Sequence, residues 1–190
     1  MPWSAESSDE ELMLRYRDGD AGAFDALYVR HKGGLYRYLM RQCRNAAAAE
    51  ELFQDVWMNL IRARSGYTVQ ARFTTYLYRL AHNRLIDHYR KHGRAAMTSF
   101  EDEDGEVLEA LPDERERPAD DALDAKRQAG RLLELIAELP EAQREAFLLQ
   151  QEGGMSVEEI AQATGVTRET AKSRLRYAMN RLRQGMREWR

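Results

Sequence analysis

The chain has 190 residues, 43% of them apolar and 32% charged, which suits one medium domain or two small ones and excludes a disordered tail. Its net charge of −3 argues against a histone-like coat for nucleic acid. The single cysteine, Cys43, excludes an intramolecular disulfide and a cysteine zinc cage. No apolar run approaches the ~20 residues of a membrane span, and the acidic start lacks a signal-peptide pattern, so we expect a cytoplasmic protein without membrane insertion.

Charge and hydrophobic periodicity divide the chain into three parts. Residues 1–92 carry 14 basic and 11 acidic groups, residues 93–125 carry 3 and 12, and residues 126–190 carry 12 and 9. Both ends show apolar residues at a spacing of three and four, whereas the alternation typical of strands is missing. The sequence therefore predicts an all-α protein with a helical bundle at 9–92, a flexible acidic linker at 93–125 and a second helical domain at 126–190.

Glycine, serine and proline mark the expected ends of helices within the two domains. In the first domain these signals lie at residues 19–22 and at 65–66, and the pair 33–34 is a further candidate interruption. In the second domain they lie at residues 139–140 and 153–154.

One predicted helix, at residues 46–64, has an unusual polar face. Its apolar arc, suited to a core, comprises Ala49, Leu52, Phe53, Val56, Trp57 and Leu60. Its opposite arc places Met58 among polar residues, namely Glu51, Gln54, Asp55 and Arg62. This arc is either an ordinary solvated face with one stray methionine or a surface for a protein partner.

The next segment, residues 72–94, combines six basic residues with interleaved aromatic ones and only one acid. On a helix, one stripe contains Arg72, Tyr76, Arg79, Asn83, Asp87 and Arg90. Basic groups, amides and aromatic rings can hold bases that have left the duplex, because every base offers a π-face and a Watson–Crick edge. The alternative is that the tyrosines belong to the core and the arginines only solubilise it. Arg84 falls on the apolar side, which the helical projection does not explain.

The C-terminal segment has the signals of a helix-turn-helix. Ser156 and Glu159 form a capping box that begins one helix, Gly165 permits the sharp turn, and Thr167 caps a long second helix. The expected inner face of that helix comprises Ala171, Leu175, Ala178, Met179 and Leu182.

The outer face of the second helix is basic, as a reader of the DNA major groove requires. It presents Glu169, Lys172, Ser173, Arg176, Asn180 and Arg183, with Arg174 and Arg181 on one flank. Lysine and arginine can donate to guanine, Glu169 can accept from cytosine, and flanking arginines suit phosphates. A solvated basic face on a structural helix is the alternative, but the cap, the turn, the apolar face and the polar face together favour DNA binding.

The sequence offers no catalytic or metal site. It lacks a phosphate-binding glycine loop and a recognisable nucleophile motif, so we predict neither an enzyme nor a cofactor. His88 and His92 share a helical face, but no third ligand is evident and a basic surface repels a dication.

Together these segments resemble the extracytoplasmic-function (ECF) sigma factors of bacteria. The runs AEELFQDVW at 49–57 and FTTYLYRLAHNRLIDHYR at 73–90 are similar to the second conserved domain of that family. The C-terminal features similar to its fourth domain are Leu139-Pro140, Arg144-Glu145, Gly153, residues 156–161 and residues 170–175. The resemblance covers nearly the whole chain in the correct order.

The resemblance implies a sigma subunit that binds core RNA polymerase and directs it to promoter DNA, as duplex and as melted strand. It assigns polymerase binding to Glu51, Gln54, Asp55 and Met58. It assigns binding of the minus-ten element to Tyr76, Arg79, Asn83, Asp87 and Arg90. Tyr76 stands where many relatives have tryptophan. It assigns binding of the minus-35 element to Arg168, Glu169, Lys172, Ser173, Arg174 and Arg176. An anti-sigma factor is the further partner that the resemblance implies.

The alternative function is a stand-alone helix-turn-helix regulator of duplex DNA. Such a protein needs an oligomerisation element, and no long heptad seam is visible. Its second basic and aromatic segment would also have no purpose in duplex binding alone.

Overall fold

A computed structural model describes residues 7–93 and 122–189 of the chain. Eight α-helices and one short 3₁₀ turn account for the regular structure of these residues, and no β-strand occurs among them. The helices are α1 (Asp9–Arg17), α2 (Ala21–Cys43), α3 (Ala46–Ala63), α4 (Phe73–Lys91), α5 (Ala122–Glu138), α6 (Glu141–Gly153), α7 (Val157–Thr164) and α8 (Arg168–Glu188), with the 3₁₀ turn at Arg64–Gly66 after α3. The all-α prediction is confirmed.

Helices α1 to α4 form an N-terminal bundle, and the first three of them begin at side-chain caps. Ser8 and Glu11 make a reciprocal capping box at α1, and Asp20 and Asn45 cap α2 and α3. Helix α4 has no such cap of its own. Instead, the Glu10 carboxylate of α1 accepts a hydrogen bond of 2.6 Å from the backbone N–H of Phe73. Helix α1 therefore holds the start of α4.

Aromatic rings connect α2 to α3 beside the core of this bundle. The ring centroids of Tyr28 and Trp57 lie 5.1 Å apart, and Phe24 meets Trp57 edge-on at 5.8 Å. Such contacts join α2 to α3 and fix which faces of both helices point inward.

Helix α2 runs without a break through Gly33 and Gly34, so the candidate interruption there is wrong. The flanking apolar residues Leu27, Leu35 and Leu39 are completely buried, and their packing outweighs the low helix propensity of two glycines. The other expected breaks, at 19–22, 65–66, 139–140 and 153–154, all coincide with helix ends.

Helices α5 to α8 form the C-terminal domain. Helix α6 packs on α8, and α5 and α7 pack on other parts of α8. Helix α5 begins at Ala122, four residues before the expected start of this domain at Lys126, because Ala122, Leu123 and Ala125 favour a helix. The remainder of the predicted linker, residues 94–121, lies outside the described residues.

The two domains are in direct contact. Helix α6 packs on α2, and α7 packs on α4. None of the helices in the described ranges, 7–93 and 122–189, is long and apolar enough to cross a membrane.

Gly185 and Gly130 offer a matched test of the packing in the C-terminal domain. A Cβ at Gly185 in α8 would collide with the buried side chain of Leu135, whereas a Cβ at Gly130 in α5 would meet nothing within 4 Å. We expect Gly130→Ala to raise the free energy of unfolding by about 1 kcal/mol through helix propensity. Gly185→Ala should lower it by about 1 kcal/mol, because overpacking outweighs that gain. Urea titration of the full chain measures both values, and equal stabilisation by the two substitutions would contradict the α5–α8 contact.

Candidate nucleic-acid interfaces

The helix-turn-helix forms as its local signals predict. Ser156 accepts a hydrogen bond from the Glu159 N–H, and the Glu159 carboxylate accepts one from the Ser156 N–H. Gly165 ends α7 with a φ of 70°, a left-handed conformation that glycine adopts without strain. The Thr167 hydroxyl then accepts from the Thr170 N–H and begins α8.

Burial of one side of α8 determines what its other side presents. The predicted inner residues Ala171, Leu175, Ala178 and Leu182 are buried, and Met179 is partly buried. Glu169, Lys172 and Arg176 are exposed on the opposite side, and Ser173 and Arg174 are half-buried beside them. This exposed face carries donors and an acceptor of the kinds that can pair with base edges in a major groove.

Arg168 at the start of α8 is already paired. Its guanidinium lies 2.5 Å from a carboxylate oxygen of Glu158 and 3.2 Å from one of Glu169. The hydrogen bond from Arg168 lowers the pKa of Glu158. Arg168 therefore links α7 to α8 as well as standing at the edge of the basic face.

Helix α4 presents the predicted stripe on one side. Phe73, Leu77, Ala81, Leu85 and Tyr89 are buried, so Arg79, Asn83, Asp87 and Arg90 point away from the bundle and Tyr76 lies half-buried at its edge. Tyr78 and Tyr89 are buried as well, so for these two tyrosines the core interpretation is correct. Tyr76 is the tyrosine of α4 that remains partly accessible.

A cavity of about 340 Å³ lies beside Tyr76. It is lined by Ala63, Gly66, Tyr67, Thr68, Gln70, Ala71, Thr75, Tyr76 and Arg79. The rings of Tyr67 and Tyr76 stand edge to face with centroids 5.2 Å apart, and burial raises the pKa of Tyr76 and brings that of Tyr67 to about 12. The hydroxyls of Tyr67 and Thr75 are buried without a hydrogen-bond partner among the described residues. The wall of the cavity thus combines aromatic rings with polar side chains such as Gln70 and Arg79.

The polar face of α3 is present as expected. Glu51, Gln54 and Met58 are exposed, Met58 to 44% of its surface. Asp55 is half-buried, because its carboxylate accepts a hydrogen bond of 2.6 Å from Arg84 of α4. This ion pair accounts for Arg84, whose position the helical projection left unexplained.

The C-terminal domain contacts the α4 stripe, although the arginines of the stripe, Asn83 and Asp87 remain exposed. The Arg79 guanidinium donates to the backbone oxygen of Gln162 in α7 at 3.0 Å, and Arg72 lies 3.4 Å from Glu159. A second cavity, of about 450 Å³, separates the rest of the stripe from the turn between α7 and α8. Its lining includes Asn83, Asp87 and Arg90 from α4 and Thr164, Gly165, Val166 and Arg174 from the helix-turn-helix. The structure therefore brings Arg174 close to the predicted minus-ten residues and leaves Lys172 and Arg176 outside this contact.

Sequence reasoning missed the polar residues between the domains. The Glu145 carboxylate of α6 is 1% exposed and accepts hydrogen bonds of 2.7 Å from the Tyr38 hydroxyl and from His82 Nδ1. Burial, reinforced by the charge of Glu145, raises the pKa of Tyr38. The partners are 107 and 63 residues apart in the chain, and no local pattern connects them.

Two further contacts extend this network. The Glu152 carboxylate of α6 binds both Arg37 and Arg41 of α2. Arg144 donates to the side-chain oxygen of Gln42 at 2.8 Å and to two backbone oxygens at the end of α5. Burial lowers the pKa of Arg144, and the nearby charge of Arg44 acts in the same direction.

Comparison with known protein families identifies both domains. The family model for Sigma-70 region 2 matches residues 27–95, and the model for Sigma-70, region 4 matches residues 129–182. The first match contains α3 and α4, and the second contains the helix-turn-helix. A stand-alone helix-turn-helix regulator does not account for the first match.

Two solved structures share this fold. A structure of CnrH in complex with the cytosolic domain of CnrY has a TM-score of 0.66 at 20% identity, covering 94% of this chain and 96% of that one. The sigma factor RpoE in complex with the anti-sigma factor NepR from Bartonella quintana has a TM-score of 0.63 at 23% identity, covering 86% and 96%.

Sequence relatives align along almost the whole chain. RNA polymerase sigma factor CarQ of Myxococcus xanthus is 31% identical over 172 residues, which are 90% of this chain and 94% of the relative. The ECF RNA polymerase sigma factor RpoE of Cereibacter sphaeroides is 34% identical over 177 residues, 92% of this chain and 93% of the relative. With both regions matched in order, the chain belongs to the ECF family of RNA polymerase sigma factors, which direct promoter-specific transcription.

Proposed function

We propose that this chain uses three separate surfaces to bring core RNA polymerase to a promoter. The polar face of α3 binds core RNA polymerase, the α4 stripe with its cavity holds the melted minus-ten element, and the outer face of α8 reads the minus-35 duplex. The observation that carries this proposal is the presence of two basic surfaces of different construction. One is a regular helix face suited to a groove, and the other adjoins a cavity with aromatic walls.

The α8 surface suits the duplex. Lys172, Ser173 and Arg176 lie at the centre of the exposed face and contact base edges, with Glu169 accepting from cytosine. Arg168 and Arg174 lie toward its sides and bind phosphates, which fix the position of the helix in the groove.

The α4 surface suits an unpaired strand. A base that leaves the stack enters the cavity beside Tyr76, whose ring offers a stacking face, while Arg79 and Asn83 bind the strand outside it. Asp87 and Arg90 continue the same stripe one and two turns further along α4 and extend the surface for the strand.

The α3 surface suits a protein. Exposed Met58 provides an adaptable apolar contact, and Glu51, Gln54 and Asp55 provide polar contacts around it. Because Arg84 joins Asp55 to α4, polymerase bound to α3 also acts on the helix that holds the melted strand.

Polymerase forms the bonds of the RNA chain, so this protein is not itself an enzyme. It acts in the cytoplasm, where the chromosome is. An anti-sigma factor is a further partner in this proposal. RpoE of Bartonella quintana, which shares this fold, was solved in complex with its anti-sigma factor NepR, and that complex supports the same kind of partner here.

The direct test is in vitro transcription with bacterial core RNA polymerase, with and without this protein, on a library of genomic promoter fragments. We expect new 5′ ends that share two upstream motifs and require both components. DNA binding without core polymerase, together with no new transcript starts, would overturn the proposal in favour of a conventional regulator.

Arg176 tests the role of α8. Arg176→Ala should weaken use of the promoter by about 1–3 kcal/mol and relax the preference at one minus-35 position, because a base contact is lost. Arg187→Ala is the matched control, since this exposed arginine lies about three turns further along the same helix. Transcription from a library randomised in the minus-35 element measures both, and an unchanged motif for Arg176→Ala would contradict the assignment.

Tyr76 tests the role of the cavity. Tyr76→Ala should reduce open-complex formation by about 1–3 kcal/mol, because a stacking surface for an unpaired base is removed. Tyr76→Phe keeps the ring and should retain most of the activity. Permanganate footprinting of melted thymines measures the open complex, and urea titration verifies that both variants fold. Full melting of the promoter by the Tyr76→Ala variant would show that Tyr76 does not stack on an unpaired base.

A further inference from the structure

One wall of the cavity beside Tyr76 is a segment without regular structure. This segment, residues 67–72, joins the 3₁₀ turn to α4, and we call it the wall loop. It contributes Tyr67 and Gln70 to the lining of the cavity. Within the described part of the chain, residues 68–71 form no hydrogen bond of their own. The wall loop is therefore held by hydrogen bonds only at its two ends.

Helix α1 binds both ends of the wall loop. Where the loop meets α4, the Glu10 carboxylate accepts the hydrogen bond of 2.6 Å from the Phe73 N–H. Where the loop begins, the Arg17 guanidinium donates a hydrogen bond of 3.2 Å to the backbone oxygen of Tyr67. Glu10 and Arg17 lie about two turns apart on one face of α1, or about 10 Å. A single rigid helix therefore sets the separation of the two ends.

Helix α1 is itself fixed on the rest of the domain. The Asp9 carboxylate accepts a hydrogen bond of 2.8 Å from Arg30 of α2 and lies 2.7 Å from His31 Nε2 of the same helix. Leu12 and Met13 of α1 are completely buried in the core. Helix α1 therefore cannot move with the wall loop unless these contacts break.

The two ends of the wall loop carry the two rings of the cavity. Phe73 begins α4 less than one turn before Tyr76, and the ring of Tyr67 stands edge to face against that of Tyr76. Burial, reinforced by the nearby charge of Glu10, raises the pKa of Tyr67 to about 12. A shift of either end of the loop would change how the two rings stand relative to each other.

We propose that Glu10 and Arg17 are positioning residues for the melted minus-ten strand, which hold the wall loop at the distance from Tyr76 that an unpaired base requires. This proposal rests on the proposed function of α4. Neither residue belongs to the lining of the cavity, so each acts through Tyr67 and Tyr76. Because the wall loop is ordered before the base arrives, strand binding does not have to supply the entropy of ordering it.

Glu10 and Glu11 provide a matched pair of variants within α1. Glu10→Ala removes the acceptor at the start of α4, whereas Glu11→Ala removes only the capping box that Glu11 forms with Ser8 at the start of α1. Both substitutions weaken α1, but only the first releases the wall loop. Glu10→Gln retains a carbonyl acceptor for the Phe73 N–H and should restore most of the lost function. Urea titration of each full chain verifies that it folds.

Transcription with core RNA polymerase on two templates separates positioning from folding. On a duplex promoter found by transcription, Glu10→Ala should reduce the yield of transcript about tenfold, as expected when one unpaired base is held poorly. On the same promoter with its minus-ten region already unpaired, the reduction should be less than about twofold, because melting no longer depends on capture of that base. Glu11→Ala should match the wild type on both templates.

Fluorescence of 2-aminopurine in the strand reports on the cavity directly. The probe replaces one base of the minus-ten element at a time in the complex with core RNA polymerase, and its fluorescence falls when it stacks on an aromatic ring. At the position that enters the cavity, this fall should be smaller with Glu10→Ala and close to the wild-type value with Glu10→Gln. Nuclease protection of the minus-35 element should not change in either variant.

Arg17 provides a second and independent variant at the other end of the wall loop. Arg17→Met keeps the apolar stem of the side chain but loses the hydrogen bond to the Tyr67 oxygen. It should lower the duplex yield and the fall in fluorescence in the same direction as Glu10→Ala. Asp18→Asn is the control, because it weakens the exposed ion pair of Arg17 and leaves the bond to Tyr67 in place.

The outcomes distinguish this proposal from the function on which it rests. A defect of Glu10→Ala and Arg17→Met that is confined to duplex templates, and that Glu10→Gln largely reverses, supports positioning. Equal defects for Glu10→Ala and Glu11→Ala overturn it, and so does wild-type behaviour of Glu10→Ala beside a defective Tyr76→Ala. If Tyr76→Ala is itself fully active, the assignment of the cavity to the melted strand fails, and the positioning role fails with it.

Discussion

Burial of one carboxylate constrains how the two domains meet. Glu145 is almost completely removed from water, and its donors Tyr38 and His82 come from two different helices of the other domain. Because a buried charge without donors is strongly unfavourable, this contact requires α6 to meet α2 and α4 in one register. Helix α6 also packs on α8, so this register sets where the helix-turn-helix lies against α4.

The parts of the structure that follow from short-range chemistry could be predicted. The capping box of Ser156 and Glu159, the left-handed Gly165 and the cap at Thr167 each depend on residues within three or four positions. Helical periodicity likewise separated the buried from the exposed side of α3, α4 and α8, because each packs one face on its own domain. The positions of Met58, Asn83 and Arg176 on exposed surfaces follow from that periodicity alone.

The parts that depend on distant residues could not be predicted from the pattern. Arg84 lies near the apolar side of α4 because Asp55, 29 residues earlier, binds it there. Gly33 and Gly34 suggested a break, but the packing of α2 keeps the helix continuous and Gly34 instead admits the backbone of α6. Tyr78 is one of the aromatic residues interleaved with basic ones in this segment, and it is buried beside Gly153 of the other domain. In each case the deciding neighbour is remote in sequence.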